Sequence, residues 1–62
     1  MMTKDDLIDK AFELIGKLLG TTDDTSASVA ELMIVDFGLE QKTAVNIVAI
    51  AFERWMQIYF PE

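Results

Sequence analysis

The sequence predicts an all-α fold, a small three-helix domain spanning residues 1–62. Three observations carry this. Two long stretches repeat apolar residues every three or four positions, a short apolar stretch lies between them, and Gly, Pro or small polar residues mark the joints.

The first helix is expected to start at Thr3, a good N-cap, with Asp5 and Asp6 in the first turn where they favour the positive end of the helix dipole, and to end at Gly20. Between these points Leu7, Ile8, Ala11, Phe12, Ile15, Leu18 and Leu19 form one apolar stripe, opposite Asp9, Lys10, Glu13 and Lys17. Gly16 lies at the edge of the stripe and suits a close helix contact.

Residues 20–27 are small and polar and read as a connection. Ser28 and Glu31 have the spacing of a capping box, which predicts a short second helix over Val29 to Phe37. Only Glu31 and Asp36 are polar in it, so it is expected to lie between the other two helices or between subunits, and Gly38 is its stop.

The third helix is expected from about Glu40 to Phe60, stopped by Pro61. At about 100° per residue, Lys42, Thr43, Asn46, Glu53, Arg54 and Gln57 share a polar arc, with Ile50 inside it, while apolar residues cover roughly 240°. Two short partners cannot easily cover so wide a face. The expectation is a homo-oligomer, most simply a dimer joined through the third helix, because a 62-residue chain with no Cys and no His has neither disulfides nor a ready zinc site to reinforce a small core. Phe52, Trp55, Met56, Tyr59 and Phe60, with Val45 and Val48, are the candidate interface residues, Trp, Tyr, Phe and Met being enriched at such contacts. No internal repeat or long heptad array is visible.

The chemistry-bearing inventory is poor. Without His or Cys the commonest general base and the best thiol nucleophile are absent, so no enzyme is expected. Asp23-Asp24-Thr25-Ser26 lacks the alternating oxygen ligands and closing Glu of a calcium loop, so no metal or cofactor is expected. Asp36-Phe37-Gly38 matches a kinase tripeptide but stands without the rest of that machinery, so Phe37 reads as core and Gly38 as a helix stop.

Eleven acidic residues against five basic give a formal charge of −6, which repels phosphate backbones and anionic headgroups. Asp5, Asp6, Asp9 and Glu13 form a candidate acidic patch toward a basic partner. The start of the chain lacks the charged-then-apolar pattern of an export signal, and the apolar run from Ala44 to Phe52 is far short of the ~20 residues a membrane span needs. The expected location is cytoplasmic, with no membrane partner.

Gly38-Leu39-Glu40-Gln41-Lys42-Thr43-Ala44, with Ile47 and Val48 beyond, resembles the turn and recognition helix of helix-turn-helix repressors: a Gly, an apolar residue one later, a Thr five later and a small apolar residue six later. The likeness covers about a dozen residues, and Ile34 stands where the motif has a small residue. It implies a dimeric DNA-binding transcription regulator in which Gln41, Lys42, Thr43 and Asn46 face the major groove. Lys42 and Arg54 are the only cations nearby, whereas such modules neutralise several phosphates, so nucleic acid is the second expectation.

The first is a non-catalytic protein-binding module: an acidic adaptor, assembly subunit or inhibitor working through an apolar, aromatic helix face, of a type common among phage and mobile-element products. A purely structural homo-oligomer is the third.

Overall fold

Three helices make up the chain: α1 (Lys4–Leu18), α2 (Thr25–Phe37) and α3 (Gln41–Tyr59), with no strand among the described residues, in a computed structural model that describes residues 2–61. Met1 and Glu62, the ends of the expected domain, lie outside them. Each helix packs against both others, and the Cα radius of gyration of 11.0 Å is close to the roughly 10.6 Å of a compact chain of this length.

Thr3 caps α1 as expected and does more. Its hydroxyl accepts from the Asp6 amide at 3.2 Å, and the Asp6 carboxylate accepts from the Thr3 amide at 3.1 Å, a reciprocal capping box. The helix stops two residues before Gly20. Leu19 is already extended, Gly20 takes φ 84, and the Thr21 amide and hydroxyl both donate to the Leu18 carbonyl. The turn carries Leu19 off the stripe to which its spacing assigned it and leaves it exposed.

The expected start of α2 is corrected. Asp24, not Ser28, is its N-cap: the Asp24 carboxylate accepts from the Ala27 amide at 3.1 Å, and Ser28 sits inside the helix with its amide donating to the Asp24 carbonyl. Asp and Ser cap about equally well, and starting at Asp24 adds a turn of backbone hydrogen bonds. Gly38, at φ 65, ends α2 and donates its amide to the Ile34 carbonyl. The second helix packs against both of the others, as expected. Val29, Ala30 and Met33 are buried, but Val35 points to solvent.

The core consists of Ile8, Ala11 and Ile15 from α1, Val29, Ala30 and Met33 from α2, and Ala44, Ile47, Val48 and Ala51 from α3. Four of these ten are alanines, which lets the helix backbones approach closely. None of the six aromatic side chains is fully buried. Phe12, Phe37, Phe52 and Trp55 pack around the core as a partly buried shell, together with Ile50, which joins the core from inside the arc read as polar.

Lys4 and Leu7 border the same depression as Lys42 and Asn46, while Gly16 lies beside Trp55, so α1 and α3 run in the same direction.

Candidate interaction surface

The inner face of α3 is fixed by Ala44, Ile47, Val48 and Ala51, all buried. Val48, only 3% exposed, is mainly part of the chain's own core. Val45, three positions earlier and about 60° round the helix, escapes that core and is 52% exposed.

From Val45 an apolar seam runs along the flank of α3 through Ala49, Phe52, Met56 and Tyr59. The steps are four, three, four and three residues, the alternation that keeps a seam straight along a helix packed against another helix. Ala49 is exposed, Phe52 is half-buried, Met56 is 42% exposed and Tyr59 57%. Over fourteen residues the seam spans roughly 21 Å at 1.5 Å per residue. The whole chain exposes 4421 Å², against about 4000 Å² for an ordinary folded protein of 7.0 kDa.

The two ends of the seam differ. At the N-terminal end, Val45, Val48 and Ala49 form one wall of an open groove of about 290 Å³; Ala27 and Ala30 of α2 form the other, with Asp24 and Ser26 alongside. Small side chains on both walls make the concavity.

At the C-terminal end the side chains are large. The Trp55 ring centroid lies 4.5 Å from that of Tyr59, 5.8 Å from Phe60 and 6.5 Å from Phe52, all tilted, within the range of favourable aromatic pairs. Trp55 is the hinge of this cluster, half-buried, with its indole against Gly16 of α1. Phe60, past the helix end, is 63% exposed and its amide donates to the Met56 carbonyl at 2.8 Å. The candidate residues of this end thus divide: Phe52 and Trp55 attach the end of α3 to the core, and Met56, Tyr59 and Phe60 face outward.

The expected acidic patch lies on α1, all four residues exposed. Two of them have local partners. Asp6 closes the capping box, and Glu13 sits between Lys17 at 3.2 Å and Lys10 at 3.8 Å. The hydrogen bond from Lys17, reinforced by the charge of Lys10, holds the Glu13 carboxyl below its usual range. Asp5 and Asp9 make no ion pair among the described residues.

Gln41, Lys42, Thr43 and Asn46 are all exposed on the first turns of α3. Lys42, Thr43 and Asn46 line a shallow depression with Lys4 and Leu7, so folding brings to this face a cation that the local motif does not contain. The turn before them, Gly38 to Glu40, is three residues long. No buried polar side chain and no group of three metal-ligating side chains occur among the described residues. No helix there is long and apolar enough to cross a membrane.

No protein-family model matches this chain, and no curated protein or solved structure matches it.

The straight seam is the feature that reading the sequence missed. Its 4-3-4-3 spacing was visible, but Val48 and Trp55 beside it are equally apolar, and only packing against α1 and α2 separates those residues the fold uses from those it leaves out.

Proposed function

We propose that the chain is a non-catalytic protein-binding module, an acidic adaptor, assembly subunit or inhibitor, which docks a protein helix along the flank of α3. The single observation that carries this reading is the apolar seam Val45, Ala49, Phe52, Met56 and Tyr59, exposed at every position but the half-buried Phe52. Contiguous apolar surface with aromatic and Met side chains at one end is what interface anchors are made of. A cytoplasmic site of action belongs to the same proposal and draws on the cysteine-free composition.

The test compares tagged wild type with the double variant Val45→Glu, Met56→Glu in extract of the native host by native size separation. Both substitutions fall on exposed positions, so the helical content should survive. Wild type should run in an assembly larger than its 7.0 kDa monomer and the variant should run free. Wild type running free, or both running in the same assembly, overturns the reading.

A helix-turn-helix regulator is the second reading, favoured by the three-residue turn with Gly38 at φ 65 and by the exposure of Gln41, Lys42, Thr43 and Asn46 just after it. Lys4 and Lys42 are the cations bordering that face, few for a chain of charge −6. Mobility shift with duplex DNA at low salt decides it. Retardation that fades with salt supports the regulator, and none at all ends it.

A further inference from the structure

We propose that the occupant of the α3 seam is α3 of a second copy of this chain, lying antiparallel, with Met56 of each copy opposite Val45 of the other and Phe52 opposite Ala49. This inference rests on the reading of the seam as a docking face and names the partner.

The two ends of the seam fit each other. One end is a groove walled by Ala27, Ala30, Val45 and Ala49; the other carries Met56, Tyr59 and Phe60 standing out into solvent. They lie on one helix, eleven residues apart from Val45 to Met56, so a two-fold axis perpendicular to α3 brings each convex end onto the other copy's concave end. With the axis passing between Ile50 and Ala51, the layers are Lys42 with Tyr59, Val45 with Met56 and Ala49 with Phe52, each repeated by symmetry. Every layer sets a smaller side chain or a flexible stem against a larger one, and the ammonium of Lys42 comes to the ring of Tyr59, a favourable cation and aromatic pair.

A parallel arrangement does none of this. It stacks Lys42 on Lys42, meets Phe52 with Phe52, and leaves a waist where Ala49 meets Ala49.

Charge distribution points the same way. Asp5, Asp6, Asp9 and Glu13 lie on α1, and Asp23 and Asp24 in the loop that follows it, whereas α3 from Gln41 to Tyr59 carries only Lys42, Glu53 and Arg54. Asp24 borders the groove at one end of the seam, but most of the acidic excess sits off it, so two copies meet there with little mutual repulsion. A basic foreign partner would instead be drawn to α1.

The experiment uses the purified full chain, which has no native Cys, so that introduced thiols react only with each other. Light scattering at about 100 μM should give twice the 7.0 kDa monomer mass, and Val45→Glu should raise the dimer dissociation constant by about 30-fold or more, the effect of losing one anchor. A mixture of the single variants Val45→Cys and Met56→Cys should cross-link on mild oxidation into the mixed dimer, while Val45→Cys alone should not cross-link.

Efficient self-linking of Val45→Cys overturns the antiparallel register. A purified monomer at 100 μM overturns the second copy. If the host-extract assembly persists in that case, the protein-binding reading stands with a foreign partner; if the chain also runs free in extract, both readings fall together.

Discussion

The indole of Trp55 rests on Gly16 of α1, its Nε1 3.8 Å from where a Cβ on that glycine would stand. That distance is ordinary van der Waals contact. Gly16 also lies inside a helix and does not need a positive φ. Gly16→Ala should therefore add a contact and remove the conformational cost of a helical glycine, stabilising the fold by about 0.5–1 kcal/mol and raising Tm by roughly 4–8 °C. Thermal unfolding followed by circular dichroism checks it, and a lower Tm would mean that the indole has no room to give.

Trp55→Ala removes the hub that joins the aromatic end of α3 to α1. A loss of about 2–3 kcal/mol in urea unfolding is expected, somewhat under the cost of deleting a fully buried tryptophan because Trp55 is only half-buried. Unfolding midpoints unchanged from wild type would show that the cluster does not anchor the helix.

The two candidate caps of α2 separate cleanly by substitution. Asp24→Ala should cost about 1 kcal/mol, since it orphans the Ala27 amide, whereas Ser28→Ala should stay within about 0.5 kcal/mol of wild type. The reverse order would place the start of the helix four residues later.

Acid titration should expose the perturbed carboxyl of Glu13. The pKa of Glu13 is lowered by the hydrogen bond from Lys17 and the charge of Lys10, so its stabilising effect is present above the unfolded-state value and is lost as pH falls through the lower folded-state value. The group is fully exposed, so the effect is small and screened by salt. Wild type should be slightly more stable than Glu13→Gln at neutral pH and low salt, with the gap closing below about pH 4 and in 1 M salt. A gap that persists in acid would assign it to something other than the carboxylate.

Local chemistry made much of the fold legible. Thr3 as a cap, Gly38 as a stop and Pro61 after the last helix all act within a turn of themselves, and the α1 stripe has a single centre. The failures share a cause. Ser28 and Asp24 are both competent caps four residues apart, and the earlier start adds a turn of backbone hydrogen bonds that the spacing of apolar residues does not report. Val48 and Val45 are the same residue type about 60° apart on a helix that is apolar over most of its circumference, so periodicity has no preferred direction there. Leu19 continues the α1 period in sequence, but the chain has already turned. The candidate surface was legible as a helix and as a set of residue types. Its straight edge was not, because that edge is what remains after α1 and α2 have taken their share.

Four alanines in a core of ten buried residues leave little freedom inside the molecule: Ala11, Ala44 and Ala51 have no exposed surface, and each added methylene there must push two backbones apart. The flank of α3 carries no such constraint. Drift in this sequence can therefore rewrite the exposed face of α3 while its scaffold stays fixed, and the same property makes the domain a small frame onto which a chosen helix-binding surface can be grafted.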